Sequence, residues 1–94
     1  MSPSVDVVEV RPLGGHWVHL RFADGMEGDV DIGRVVRFTG VFAPNRIERE
    51  FAKVRVNAES GSIEWPNGAD IGPEVLYAAV TGIPSEWVEP EDDR

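Results

Sequence analysis

Residues 16–32 read HWVHLRF, ADG and MEGDVDI, and this stretch decides the fold. Apolar and polar residues alternate over residues 16–22 and again over residues 26–32. That period of two is typical of strands that bury one face and expose the other. The intervening Ala23-Asp24-Gly25 is typical of a tight turn, so the stretch predicts a β-hairpin.

The length of the loop sets which residues of the hairpin face each other. A two-residue loop would place Glu27 and Asp29 on the same face as Phe22, beside apolar side chains. A three-residue loop separates the faces, and we predict it, with Gly25 in the left-handed conformation of a G1-bulge turn. Its inward pairs are Phe22 with Met26, Leu20 with Gly28 and Val18 with Val30, and its outward pairs are Arg21 with Glu27, His19 with Asp29 and Trp17 with Asp31.

Shorter patterns predict the other elements. Val5 to Leu13 is rich in β-branched residues and predicts a first strand, with a bulge at Val7-Val8 where the apolar parity changes. The further predicted strands are residues 53–57, with Val54 and Val56 inward, and residues 62–65, with Ile63 and Trp65 inward. The predicted helical segments are one turn in residues 32–38, a short helix capped by Asn45 with Ile47 and Phe51 on one face, and a helix from Pro73 to about Thr81 that Gly82 and Pro84 stop. The expected buried stripe of that last helix is Val75, Leu76, Ala79 and Val80.

The order of these elements predicts a small single α+β domain. Its sheet is expected to be mainly antiparallel and five-stranded, in the order β-β-β-short α-β-β-α, with the helices on one face. We expect a loose N-terminus at residues 1–4, the domain at residues 5–84 and an acidic C-terminal tail at residues 85–94.

Composition restricts the classes of function. The chain has 94 residues, 41% of them hydrophobic, no cysteine and a net charge of −8. That length fits one domain, and the absence of cysteine excludes disulfides, thiolate metal sites and a cysteine nucleophile. The sequence contains no apolar run of about 20 residues, so we expect a soluble, cytoplasmic protein without a membrane role.

Charge is unevenly distributed along the chain. Six basic and two acidic residues lie between Arg34 and Arg55, whereas the overall acidity disfavours direct binding of nucleic acid. The basic segment is either a solvated face or a stripe that contacts an acidic partner. The candidate basic stripe consists of Arg46, Arg49, Lys53 and Arg55.

The segment Trp65-Pro66-Asn67-Gly68-Ala69-Asp70 has two interpretations. In the structural one, Trp65 fills the core, the next residues turn, and Asp70 accepts backbone N–H groups at the start of the last helix. In the functional one, an exposed loop presents an aromatic ring and a carboxylate to a partner. Tyr77 is expected to place its ring on the sheet with its hydroxyl at the rim. The candidate partner-binding residues are Glu64, Trp65, Asn67, Asp70, Glu74 and Tyr77.

Patterns that carry catalysis are missing from the sequence. His16 and His19 are three apart on a strand and point to opposite faces, so a shared metal is not expected. His19 and Asp29 face each other across the hairpin, either as a plain contact or as a pH-sensitive pair. Glu27, Asp29 and Asp31 lie in a row on the second strand of the hairpin. A calcium-binding loop folds around its ion, and an extended strand cannot do so. We therefore expect no enzyme, no cofactor and no metal site.

Three segments resemble a known family. Val8 to Leu13 (VEVRPL), His19 to Gly25 (HLRFADG) with Val30 to Ile32, and above all Ile63 to Tyr77 (IEWPNGADIGPEVLY) are similar to the bacterial domain-of-unknown-function family 2442. The resemblance covers roughly residues 5–80 and implies a small α+β domain. It implies no catalytic residues.

The same resemblance implies a role in binding. Some members are suspected antitoxins paired with another small protein, and others precede a helix-turn-helix domain, of which this chain has no pattern. We therefore predict a non-catalytic protein-binding module, in its specific form the antitoxin-like partner of a small toxin. The alternatives are a self-associating scaffold or regulatory, transcription-associated domain, which could form a homo-oligomer, and a weak nucleic-acid binder.

Overall fold

The computed structural model describes residues 5–82, which form two small sheets and several short helices. The strands are β1 (Val7–Gly14), β2 (Trp17–Phe22), β3 (Glu27–Asp31), β4 (Arg55–Asn57), β5 (Ser62–Glu64) and β6 (Asp70–Ile71). The helices are α1 (Glu48–Phe51), α2 (Pro73–Thr81) and the 3-10 helices Ile32–Arg34 and Gly40–Arg46. The predictions for residues 1–4 and 85–94, and for Pro84 as a stop signal, lie outside the described residues.

The prediction of one five-stranded sheet is wrong, although the α+β class is confirmed. The strands form two antiparallel three-stranded sheets, β1-β2-β3 and β4-β5-β6. β6, which the sequence did not predict, completes the second sheet. A bulge at Val8, where β1 approaches the second sheet, breaks the regular edge. Beside this bulge, Val7 N–H donates at 2.8 Å to Gly61 O, between β4 and β5, and within residues 5–82 β1 forms no ladder with the second sheet.

The hairpin of β2 and β3 has the predicted register. Leu20 lies opposite Gly28 and His19 opposite Asp29. Phe22 N–H donates to Met26 O at 2.8 Å, and Gly25 N–H donates to Phe22 O at 2.9 Å. Gly25 has a φ of +95°, so the three-residue turn needs a residue without a side chain there.

The core lies between the inner faces of the two sheets, α1 and α2. Its buried side chains come from every strand except β4, whose Val56 is only partly buried, and include Val18, Leu20, Phe22, Ile32, Phe51, Ile63, Trp65, Ile71 and Leu76. Burial of each such side chain contributes about 1.5–3 kcal/mol, so the alternation in the strands is the main source of stability.

The short helices differ from their predictions. α1 begins at Glu48, after Ile47, and Asn45 lies within the second 3-10 helix with its side chain buried instead of capping α1. Ile47 is 55% exposed, so it does not share the buried face of Phe51. A four-residue helix is too short to establish the predicted i, i+4 face.

α2 has the predicted ends but a rotated buried face. It runs from Pro73 to Thr81, and Gly82 closes it with a φ of +79°. Leu76 is fully buried and Val80 packs against the core, whereas Val75 and Ala79 are exposed. The rotation brings Val80 over Gly28, where an added Cβ would be only 2.9 Å from Val80 Cγ1.

Candidate functional site

Trp65, the centre of the most informative sequence segment, belongs to the core. It is 2% exposed, and its indole N–H donates to Phe51 O at 2.8 Å. The rings of Phe42 and Phe51 pack against it, with centroids 5.9 and 5.5 Å away. The structural interpretation of Trp65 is therefore correct, and the ring is not presented to a partner.

Asn67 closes the turn after Trp65. Its side-chain N–H groups donate to Val41 O at 2.8 Å and to Asn45 Oδ1 at 3.2 Å. Asn45 is a buried polar residue, 2% exposed, and the bond from Asn67 gives the oxygen of its amide the hydrogen-bond partner that a buried polar atom needs. The side chain of Asn67 thus joins the turn to the second 3-10 helix.

The three candidate carboxylates differ in their surroundings. Glu64 accepts from Asn57 Nδ2 at 3.0 Å and from Arg55 Nε at 2.9 Å, and these bonds lower its pKa. Asp70 lies on β6, exposed and opposite Glu64. The prediction that Asp70 caps α2 is wrong, because Gly72 holds that position without a side-chain bond. Glu74 lies in the first turn of α2, where a negative charge is favourable.

Tyr77 places its ring against the sheet, as predicted, and its hydroxyl also connects α2 to the hairpin turn. Its ring meets that of Phe22 edge-on at 5.0 Å, and its hydroxyl donates to Asp24 Oδ2 at 2.6 Å. This bond stabilises the phenol and the carboxylate, so it raises the pKa of Tyr77 and lowers that of Asp24. Tyr77 therefore has a clear structural role.

Ion pairs divide the candidate basic stripe. Lys53 contacts Glu50 at 3.1 Å, and Arg55 contacts Glu64 at 2.9 Å. The arginine side chains at its other end are Arg46, which donates to Phe38 O, and Arg49, which is 81% exposed and 3.9 Å from Glu50. The four cations do not form one uncompensated positive surface.

The two histidines lie in different surroundings. His16 Nε2 is 2.8 Å from Arg46 O, which can only accept, so this nitrogen carries a proton. His19 lies on the outer face of β2, with Nδ1 2.7 Å from Asp29 Oδ1 and Nε2 2.9 Å from Glu27 Oε1. Within residues 5–82, no group of three or more His, Asp or Glu side chains could hold a metal ion.

A groove that the sequence analysis did not identify lies beside β3. It has a volume of about 350 Å³, and its walls include Trp17, Asp29, Asp31, Arg34, Val35 and Ala79. Trp17 is 47% exposed there. The predicted register had placed Trp17 on the outer face, so the sequence did indicate that this side chain is accessible. No sequence pattern indicated that Arg34 and Ala79 lie near it.

Comparison with known proteins places the chain in a family without assigning it an activity. No curated protein and no solved structure matches it. No helix among the described residues is long and apolar enough to cross a membrane. The model of the family described as protein of unknown function (DUF2442) matches residues 7–82. Since that match covers most of the sequence, the chain belongs to this family.

Proposed function

We propose that this protein is a non-catalytic module that binds another small protein, in the specific form of an antitoxin-like inhibitor of a small toxin. The groove beside β3, with Trp17 half exposed in its wall, is the observation that carries the proposal. Tryptophan is among the residues that contribute most to protein interfaces, because its large rigid ring is desolvated on binding.

The composition of the groove also supports a protein ligand. Val35 and Ala79 add apolar surface to that of Trp17, and Asp29, Asp31 and Arg34 add charged groups to the same walls. Apolar, aromatic and arginine side chains combined with charged groups are typical of interfaces between proteins. The antitoxin form would act by covering the surface that the toxin needs for its activity.

The bonding of the polar side chains supports a non-catalytic role. His16, Glu64 and Tyr77 each make a hydrogen bond that holds two elements of the fold together. A general acid or base needs a proton that a substrate can reach, so such bonds favour structural roles. The proposal includes a cytoplasmic setting, which suits a cysteine-free chain that needs no oxidising compartment.

The test is capture of the partner by the full chain and by two matched variants. The tagged chain, Trp17→Ala and Val41→Ala are expressed in the natural host and purified after nuclease treatment. Val41 is 52% exposed and is not part of the groove, so it controls for the loss of an exposed apolar side chain. We expect one stoichiometric small protein with the unchanged chain and with Val41→Ala, and its loss with Trp17→Ala.

Growth experiments test the antitoxin form. Expression of the captured protein alone is expected to arrest growth, and coexpression of this chain is expected to restore it. Capture of no partner, or capture that ignores Trp17, would overturn the binding proposal at this surface. A captured partner that leaves growth unaffected would overturn the antitoxin form.

A further inference from the structure

The outer edge of β3 exposes backbone hydrogen-bonding groups. Phe22 and Met26 are hydrogen-bonded at the turn, and the antiparallel ladder alternates from there. The residues of β3 that bond to β2 are therefore Gly28 and Val30, while Glu27, Asp29 and Asp31 direct their N–H and C=O groups away from β2. Within residues 5–82, no backbone group bonds to that outer side.

The side chains of this edge are all acidic. Glu27, Asp29 and Asp31 lie on the outer face of the sheet, opposite Arg21, His19 and Trp17. Arg21 does not neutralise Glu27, because its guanidinium bonds Glu9 at 3.0 Å. Protonated His19 compensates one of the three carboxylates, so the edge is negative in either state of that imidazole. Each residue with free outward backbone groups thus also carries a carboxylate.

We propose that the partner adds a basic, extended segment to this edge as a fourth strand of the first sheet. This inference rests on the proposed protein-binding function and names the chemistry of its ligand. Strand addition uses unpaired main-chain groups for affinity and alternate side chains for specificity. Lysine or arginine at every second position would lie opposite the carboxylates, in pairs that stabilise neighbouring strands.

Charge also excludes the other candidate occupants. A second copy of the chain would bring its own Glu27, Asp29 and Asp31 against the same three residues, and like charges directly opposite are destabilising. Residues 85–94 of this chain contain five acidic residues and one arginine, so they carry the same sign as the edge. A basic segment of another protein is the occupant whose charge complements the edge.

The groove determines which end of the added strand lies beside Trp17. Asp29 and Asp31 belong both to the edge and to the wall of the groove, so a strand on β3 borders Trp17. Arg34 lies in the same wall and disfavours a cation beside it. A lysine opposite Glu27 or Asp29 is therefore expected to contribute more to binding than a lysine opposite Asp31, at the end of β3 that leads to Arg34.

The first test uses a synthetic peptide as the probe. The capped peptide KVKTKVK is titrated into the ¹⁵N-labelled full chain and followed by NMR. Two controls are EVETEVE, which reverses the charge, and KVKTKVK with N-methyl groups on alternate residues, which keeps the charge but removes donors. We expect shifts and slowed hydrogen exchange at the amides of Glu27, Asp29 and Asp31. Each control should bind about tenfold more weakly or worse.

The second test uses a matched pair of variants in the protein. Asp29→Pro and Asp29→Ala both lose the carboxylate and the bond to His19, but only proline also loses the outward N–H. Proline is tolerated on an edge strand when its nitrogen faces away from the ladder. We expect Asp29→Pro to bind KVKTKVK about tenfold more weakly than Asp29→Ala. If Asp29→Pro does not give a folded spectrum, Glu27→Pro against Glu27→Ala makes the same comparison.

The possible outcomes separate this inference from the proposed function. Equal binding of the N-methylated peptide, equal binding of EVETEVE, or shifts remote from β3 would overturn strand addition. Formation of a dimer through β3 would overturn it in favour of a second copy. If capture of the partner depends on Trp17 but is equal for Asp29→Pro and Asp29→Ala, the binding module is supported and strand addition is overturned. If the peptide adds to β3 but no partner is captured, the proposed binding module is overturned, whereas the ability of β3 to accept a basic strand is confirmed.

Discussion

At the scale of single residues, His19 has the most unusual surroundings. Its two ring nitrogens lie within hydrogen-bond distance of two different carboxylates, those of Asp29 and Glu27. A neutral imidazole has one N–H and can donate only one of these bonds, whereas the imidazolium donates both. The bond to Asp29, followed by the bond to Glu27, therefore raises the pKa of His19 above 6.5.

This raised pKa predicts how stability depends on pH. The folded chain binds the proton of His19 more tightly than the unfolded chain, so the stabilisation is fully present below pH 6.5. It is lost as the pH rises through the higher pKa of the folded state. We expect the His19 ring signals to titrate above pH 6.5 in NMR and the free energy of unfolding to decrease over that range.

The variant His19→Gln is the control for this prediction. Glutamine keeps a side-chain donor but does not titrate, so its unfolding free energy should lack the part of the pH dependence that His19 contributes. A midpoint below 6.5 for His19, or an unchanged pH profile in His19→Gln, would contradict the assignment.

The sequence predicted some of these surroundings and not others. The register of the hairpin placed His19 opposite Asp29, because side chains on one face of a ladder are fixed by the loop length. The second contact, with Glu27, depends on the rotamer of the imidazole, on which the residue pattern carries no information. In the same way, the sequence pattern left open whether Trp65 lies in the core or is exposed to a partner. The contacts of its ring with Phe42 and Phe51 show that it lies in the core.

At the scale of elements, the contact between β3 and α2 depends on a missing side chain. Gly28 faces the core opposite Leu20, and Val80 of α2 occupies the space that a side chain would take there. Close approach of a helix to a sheet is a specific use of glycine in a strand. This contact determines which face of α2 is buried.

Gly28→Ala is therefore expected to be destabilising. The added methyl group would overlap Val80 Cγ1, and overpacking of this kind costs about 1–3 kcal/mol. The free energy of unfolding, measured by urea denaturation, should decrease by that amount. Gly72→Ala is the comparison without overpacking: its new methyl group would meet only Glu74 Oε1 at 3.6 Å, so its cost, about 1 kcal/mol or less, comes from alanine being less favourable than glycine at the N-cap of α2.

A double variant checks the cause. Val80→Ala should make room for the new methyl group, so Gly28→Ala with Val80→Ala should be less destabilised than the sum of the two single variants, by about 0.5 kcal/mol or more. Simple additivity, or a stabilised Gly28→Ala, would show that the two side chains do not compete for space.

The ends of α2 could be predicted from sequence, but its orientation could not. Pro73 and Gly82 act on their own backbone, so their effects are local and visible in the pattern. The orientation depends on Gly28, which is distant in sequence and acts because it has no side chain and so leaves space for Val80. Val75 is exposed for that reason, although its hydrophobicity fitted the predicted stripe.

At the scale of the whole molecule, charge opposes self-association. The chain carries a net charge of −8, and its open strand edge is acidic. We expect a monomer at pH 7 in analytical ultracentrifugation, with association appearing as the pH approaches the isoelectric point near 4.6. The variant Glu27→Gln should associate at a higher pH than the unchanged chain. A stable dimer at pH 7 and low salt would contradict this prediction and favour a self-associating scaffold.

The division into two sheets was not accessible from the sequence. The sequence patterns predicted that β1, β4 and β5 exist, and for β4 and β5 they also predicted the inward faces, because alternation is a local property. Whether β1 forms a ladder with the second sheet depends on the bulge at Val8 and on the position of Gly61, whose carbonyl accepts from Val7 N–H. The two-residue β6 is too short to have a period at all.

The strand order of each sheet follows the order of the chain, and this has a kinetic consequence. Each ladder joins strands that are neighbours in sequence, so only short loops have to close while the sheets form. Folding rates rise as contacting residues become closer in sequence, because less chain entropy is lost before the first contacts form. The β1-β2-β3 meander can thus assemble early, and α2, near the end of the described chain, then covers it.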